Sequence, residues 1–227
     1  MSVPELKEAI GDRLDHIRQA VPESVRLIAV SKQVSVEAMR VAYEAGVRDF
    51  AESRIQEATV KQEQLQDLTD ITWHFIGHLQ SNKAAKAIAQ FQWIHSVDNL
   101  KLAQRLDRLA AELNQSPQIC LQVKIVPDAN KSGWAVPALL ADLPALDACQ
   151  HLKIVGLMTI PPYGLAPSDT LSIFQRTHDL ADQIRQQTWS NLQIDQLSMG
   201  MSDDYPLAIQ AGSTMIRLGR ILFGERS

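Results

Sequence analysis

Lys32 closes the apolar run Leu27-Ile28-Ala29-Val30-Ser31-Lys32, placing a primary amine where a buried strand meets its rim. Near the other end of the chain, the runs Gln196–Met201 and Thr214–Leu218 each break into glycine and serine where a strand should end. The first supplies Ser198, Gly200 and Ser202, and the second Gly219. Small residues at neighbouring strand ends let backbone N–H groups approach an anion closely, and a following helix N-terminus adds a positive dipole. The pattern is that of a phosphate cup. A lysine together with such a cup suggests pyridoxal phosphate (PLP) held as a Schiff base. A solvated surface lysine is the plainer alternative for Lys32.

Arg217 interrupts the apolar run Met215-Ile216-Arg217-Leu218. An inward arginine in such a run needs an acceptor. The pyridine nitrogen of PLP would serve, and a permanently charged guanidinium there keeps that nitrogen unprotonated and weakens the ring as an electron sink. Such a site suits holding the cofactor, or limited proton transfer, better than decarboxylation. A salt bridge to Asp203 or Glu225 is the other reading of Arg217. His74 and His78 in WHFIGH share one face of a strand, with His78 at the rim. No second Cys/His cluster accompanies them, so no metal site is expected. His16, His95, His151 and His178 give no constellation, and there is no G-x-S-x-G elbow. Lys83 and Lys86 fit an exposed helix face, Lys124 points outward from a strand, and Lys131 lies in a mobile loop where water is the expected neighbour and substrate the alternative.

These residues need a scaffold that gathers strand ends. Eight strands are predicted, at Val25–Ser31, Arg48–Ala51, Thr72–Gly77, Trp93–Val97, Ile119–Ile125, Lys153–Met158, Gln196–Met199 and Thr214–Leu218. Most are continuous apolar runs, as parallel strands covered on both faces require. Between them, helical spacing predicts Val36–Ala45 stopped by Gly46, Leu100–Leu113 ending near Asn114, and Thr170–Gln187 with Ser168-Asp169 as caps. A further helix, Pro4–Ala20, precedes the first strand. The alternation fits a single-domain (β/α)8 barrel over residues 1–227 with an extra N-terminal helix. An open doubly wound sheet is the rival, but the turn after its first strand would be Gly-rich, and here it reads SKQVS. The loops at Pro161–Pro167 and Pro127–Gly133 are the candidates for mobility.

The chain has 227 residues, 45% of them hydrophobic, enough for one large core or two small ones. A formal net charge of -4 and a pI near 5.9 argue against a nucleic-acid surface. Cys120 and Cys149 lie in apolar surroundings and read as buried core thiols in a reducing compartment, with a disulfide as the lesser alternative. The charged, amphipathic start MSVPELKEAIGDRL is no signal peptide, and no apolar run is long enough to span a bilayer. A soluble cytoplasmic protein is expected.

Seven segments carry a family resemblance: LIAVSK (Leu27–Lys32), ESRIQE (Glu52–Glu57), WHFIGHLQSNK (Trp73–Lys83), KSGW (Lys131–Trp134), GLMTI (Gly156–Ile160), LSMGMSDD (Leu197–Asp204) and GSTMIRLGRILFG (Gly212–Gly224). On these the chain resembles the pyridoxal phosphate homeostasis proteins, barrels of the alanine-racemase-like fold type III. The family's Gly-Glu-Asn-Arg after the second strand is here Ala51-Glu52-Ser53-Arg54, and Ser53 reaches less far than asparagine. The resemblance implies that Lys32 carries PLP as an internal aldimine. It implies that Ser198, Gly200, Met201 and Ser202, with backbone N–H groups of Gly219 and Arg220, hold the phosphate. It places Arg217 at the pyridine nitrogen, Met158 near the ring and Ser53 at the cofactor's edge.

Alanine racemases of this fold add a C-terminal β-domain and a catalytic tyrosine in trans. The chain stops at Ser227, and Tyr43, Tyr163 and Tyr205 have no matching context, so that domain is expected to be absent. The resemblance therefore implies a non-catalytic, monomeric PLP carrier in vitamin B6 homeostasis, serving amino-acid and keto-acid balance, with PLP-requiring apoenzymes as partners. The alternative is a PLP-dependent amino-acid racemase with Lys32 as base, for which His78 is the rim histidine to nominate as second base. A third reading is a partner-binding protein that uses PLP as its signal.

Overall fold

Alternating apolar side chains become strands here because both faces find cover: one set turns outward under helices, the other into a closed barrel. The computed structural model describes residues 3–128 and 130–225. Met1, Ser2, Arg226 and Ser227, at the ends of the expected domain, and Ala129, in the expected loop Pro127–Gly133, lie outside the described residues. Helix α1 (Val3–Ala20) leads into β1 (Arg26–Val30), α2 (Val36–Glu44), β2 (Asp49–Glu52), α3 (Ile55–Gln64) and β3 (Thr72–Phe75). A 3-10 turn at Ser81–Lys83 opens α4 (Ala84–Gln90), followed by β4 (Trp93–Val97), α5 (Leu100–Glu112) and β5 (Gln118–Lys124). Next come the two-residue β6 (Trp134–Ala135), α6 (Val136–Asp147), β7 (Lys153–Met158) and α7 (Pro167–Arg185). The order ends with β8 (Gln196–Ser198), α8 (Tyr205–Gln210), β9 (Met215–Leu218) and α9 (Arg220–Phe223).

The strands run β4-β3-β2-β1-β9-β8-β7-β5, all parallel, and the β4–β5 pairing closes the ring. Closure removes the open doubly wound sheet from consideration. β6 is an addition the sequence reading lacked; it pairs only with β5, through Val123↔Trp134 and Lys124↔Ala135. The third strand ends at Phe75, two residues before the predicted Gly77. Gly77 belongs instead to the turn above it, where a Cβ would stand 2.0 Å from the Ser53 carbonyl oxygen.

Helix ends follow their local chemistry. Ser35 Oγ accepts from Ala38 N at 3.2 Å to cap α2, and Asn99 Oδ1 accepts from Leu102 N at 2.9 Å to cap α5. The Ser168-Asp169 caps are corrected. Pro167 takes the first helical position of α7, which suits its missing N–H and fixed φ, so Ala166 becomes the N-cap. α1 lays Ile10, Leu14 and Ile17 against the fold and packs on α2 and α9. No helix among the described residues is long and apolar enough to cross a membrane.

Two buried layers result. The outer one, between strands and helices, includes Phe50, Phe75, Leu102, Leu106, Ile119 and Phe174. The inner one groups Ile28, Val30, Ala51, Trp93, Cys120, Met158 and Met215 inside the barrel, beside the buried polar residues His74, His95, Ser198 and Arg217. Cys120 and Cys149 are free and buried, and burial pushes the Cys120 thiol up to about 12.

Candidate functional site

The end of β1 delivers Lys32 through a clamped turn. Ser31 N donates to Ala51 O at 3.0 Å, and Gln33 adopts the left-handed region, with φ 61°. A buried ion cluster fixes both neighbours of Lys32. Lys61 Nζ, from α3, donates to Ser31 O at 2.6 Å, to Glu52 Oε1 at 2.8 Å and to Glu57 Oε1 at 2.6 Å. Ser31 Oγ donates to Glu52 Oε1 at 2.7 Å, and Gln33 N donates to Glu57 Oε1 at 2.5 Å. Burial raises the Glu52 carboxyl above its ordinary value, and Lys61 and Ser31 offset part of that rise. Burial also pushes on Glu57, but hydrogen bonds from Lys61 and the Gln33 N–H hold it below the usual range. The left-handed turn carries its backbone cost because these bonds over-determine it. Sequence reasoning missed Lys61; its one signal was the i,i+4 pair Glu57–Lys61 on α3.

Lys32 lines a cavity of about 420 Å³ at the C-terminal ends of the strands, together with Val30, Ser53, Ile76, Ile160, Met201, Ser202, Asp203, Arg217, Gly219, Arg220 and Glu225. Of the ten residues predicted for the cofactor, seven share this lining: Lys32, Ser53, Met201, Ser202, Arg217, Gly219 and Arg220. The other three sit behind it. Ser198 is fully buried beneath Arg217, Met158 packs in the inner layer, and Gly200 turns the β8–α8 loop. Gly200 has φ 95°, and its carbonyl accepts from Arg217 N at 3.0 Å. A Cβ there would lie 2.6 Å from that of Ala208, so only glycine fits. A larger cavity, about 810 Å³, lies on the outer side among β5, α6 and α7, away from the candidate residues.

The cup is built from the β8–α8 and β9–α9 turns. Met201 N is engaged by Asp204 Oδ1 at 2.6 Å, and Ser202 Oγ accepts from Ile221 N at 3.4 Å. Helix α9 is a single turn of four residues, so its contribution is N–H groups rather than a sizeable dipole. Arg220 Nη2 donates to both Asp203 oxygens at 2.5 Å, with Glu225 Oε1 3.8 Å from Nε. Those two carboxylates were the sequence's other reading for Arg217, and Arg220 takes them instead.

Arg217 points inward. Nη1 donates to Ser198 O at 2.6 Å and to Ser198 Oγ at 2.7 Å, and Nη2 donates to Thr159 O at 3.2 Å. Burial brings its pKa down to about 10, with Asp204 pulling the other way, so it stays cationic at neutral pH. His95, expected to join no constellation, contacts Ser198 Oγ through Nδ1 at 2.7 Å and His74 Nδ1 through Nε2 at 2.9 Å. His74 lies fully inside the barrel, whereas His78 is exposed at the rim, 3.3 Å from Asp98 Oδ2 and 3.1 Å from Ser132 Oγ. Lys131 does not face water as expected. Its Nζ donates to Ile160 O at 3.1 Å and to Pro161 O, and burial lowers its pKa.

The model of the alanine racemase N-terminal domain matches residues 7–227. A pyridoxal phosphate homeostasis protein of Synechocystis is 57% identical over 206 residues, covering 91% of this chain and 94% of that relative. The chain belongs to the pyridoxal phosphate homeostasis protein family. The structure of PipY of Synechococcus elongatus with PLP bound is 51% identical, with a TM-score of 0.91 over 95% of this chain and all of PipY. An alanine racemase of Bacillus anthracis is only 16% identical, with a TM-score of 0.75 over 96% of this chain and 56% of the racemase. It shares the barrel, and the likeness extends to fold alone.

Proposed function

We propose that this chain binds PLP in the cavity at the end of β1 and works in PLP homeostasis as a carrier rather than an enzyme. The observation that carries the reading is one cavity lined at once by a lysine on a clamped turn, by Arg217, and by Ser202 and Gly219 from the two neighbouring turns β8–α8 and β9–α9. Its volume falls in the range of small-molecule sites, roughly 300–1,000 Å³. The donor set fits the group: an amine for an aldehyde, hydroxyl and N–H donors for a phosphate, and a donor-only side chain for a ring nitrogen.

When bound, PLP supplies an aldehyde that links covalently to a primary amine and a ring that withdraws electrons. Lys32 Nζ is the amine, and the Lys61–Glu52–Glu57 cluster keeps its backbone in place. The Ser202 hydroxyl and the N–H groups of Gly219 and Arg220 hold the phosphate, backed by the Gly200 turn and Ser198. Ser53 bounds the cavity on the β2 side, and Met158 supports its floor from below. Arg217 presents N–H groups only, so the ring nitrogen remains an acceptor and the ring a weak electron sink. That favours holding over turnover. The homologous PipY, whose structure holds PLP, supports the reading. We further infer a monomeric, cytoplasmic chain that gives PLP up to apoenzymes.

The test is a PLP titration followed in the visible, with exchange of the α-proton of amino acids in D2O measured on the loaded protein. The reading expects a yellow complex and no exchange above the PLP-only control. A chain that stays colourless overturns binding, and exchange across an amino-acid panel overturns the carrier role in favour of a racemase.

A further inference from the structure

A row of polar side chains runs through the barrel from one end to the other. Arg217 (β9) donates from Nη1 to Ser198 Oγ (β8) at 2.7 Å, and Ser198 Oγ meets His95 Nδ1 (β4) at 2.7 Å. His95 Nε2 meets His74 Nδ1 (β3) at 2.9 Å, and His74 Nε2 meets Asp49 Oδ1 (β2) at 2.9 Å. Ser198, His95 and His74 have no exposed surface. Arg217 lines the cavity of Lys32, whereas Asp49 lines a different cavity, about 540 Å³, shared with Leu14 and Arg18 of α1.

The chemistry of the two ends fixes the direction of every bond between them. An arginine only donates, and a carboxylate only accepts. His74 therefore carries its proton on Nε2, for Asp49, and accepts at Nδ1. His95 must donate from Nε2 and accept at Nδ1, where the Ser198 hydroxyl donates. Ser198 Oγ is then left to accept from Arg217. One tautomer of each neutral ring satisfies every link. A proton added to His74 sets N–H against N–H across the His74–His95 contact. A proton added to His95 forces the Ser198 hydroxyl away, leaving its oxygen between two donors.

Burial and surrounding charge oppose both additions. Burial lowers His95 well below its ordinary value, and His74, Arg217 and Arg26 push the same way. Burial lowers His74 too, aided by Arg26 and resisted by Asp49. Arg26 itself lies 3.7 Å from Asp49 Oδ1 and sits over the Trp93 ring.

We propose that His74, His95 and Ser198 are positioning residues, a one-way hydrogen-bond relay through which the Asp49 carboxylate at the N-terminal face sets how Arg217 is presented to the cofactor cavity. The relay and the Ser198 carbonyl commit both Nη1 donors of Arg217 inside the barrel, Thr159 O takes one from Nη2, and the second Nη2 donor and the Nε donor are left for the ligand. The effect on PLP rests on the reading given under Proposed function; the relay itself does not.

The test has two parts. First, 15N-histidine NMR on the chain prepared without PLP should show Nε2–H tautomers for both His74 and His95, unchanged from about pH 8 to about pH 6, around the ordinary histidine value. An Nδ1–H tautomer, or titration of either ring in that range, overturns the relay. Second, His74→Leu breaks the row, and His74→Gln restores one acceptor and one donor. Among folded variants, judged by thermal melting, His74→Leu should bind PLP about tenfold more weakly, the scale of one lost buried hydrogen bond, and shift its absorbance maximum. His74→Gln should return to within about threefold of the parent, a smaller loss than that of one hydrogen bond. A wild-type spectrum and affinity in His74→Leu, or equal damage in both variants, overturns the proposal. If the parent chain takes up no PLP, the functional reading fails, while the tautomer result still judges the relay.

Discussion

The layer outside the strands and the layer inside the barrel are built on different principles. Outside, Phe50, Phe75, Leu102, Leu106 and Phe174 fill the space to the helices with side chains that make no hydrogen bonds. Inside, a few apolar residues share the barrel with His74, His95, Ser198 and Arg217, each tied to the next. Apolar packing is non-directional and tolerates exchange of shapes, whereas a buried polar row holds only if every member is satisfied. The outer layer therefore supplies stability, and the inner one holds functional groups in a fixed orientation.

That contrast can be broken from either side. Phe174→Ala, in the outer layer, should cost about 3–5 kcal/mol by cavity formation, read as a fall in the denaturation midpoint, without changing PLP uptake by the folded fraction. A loss of PLP uptake by folded protein would mean the layers are not separable. Lys61→Met follows at about 3 kcal/mol, because it leaves Glu52 buried without its cation while Glu57 keeps some solvent. Unlike Phe174→Ala, it should also weaken PLP uptake, through the turn that presents Lys32.

A smaller effect is expected in the pH dependence of stability. Both inner histidines have folded-state pKa values below the ordinary ~6.5, so the unfolded chain binds protons that the folded chain refuses. Their contribution is fully present above about pH 6.5 and is lost as pH falls from there toward the lowered folded values. His95→Gln should flatten that part of the stability–pH curve, measured by denaturant melts; an unchanged slope would mean that His95 is protonated in the fold. The smallest stability change, within about 0.5 kcal/mol, is expected for Lys32→Ala, whose side chain is not part of either layer. An unfolded Lys32→Ala chain would make Lys32 structural.

The sequence announced the outer layer and the rim better than the interior. Lys32 was legible because an apolar run ends on it, and Arg217 because an arginine inside Met215–Leu218 has to point at an acceptor. His95 was not, since its partners His74 and Ser198 lie 21 and 103 residues away and meet it only through the register of the closed barrel. Lys61 drew no reading, because its one sequence signal, an i,i+4 pair with Glu57, is the pattern of a solvated helix face, whereas α3 packs beside β2 and buries it. Lys131 was assigned to water because sequence carries no sign that the Ile160 and Pro161 carbonyls would stand within reach. Ser168 and Asp169 have the right chemistry for a cap, but Pro167 starts the helix before them.

The central claim is that Lys32 is the attachment point for PLP. The most direct measurement is borohydride reduction of the PLP-loaded chain, followed by mass mapping of the modified peptide, with Lys32→Ala carried in parallel. The account predicts one phosphopyridoxyl group, on Lys32, and none in the variant. A stable adduct on another lysine, with Lys32 unmodified, would contradict it.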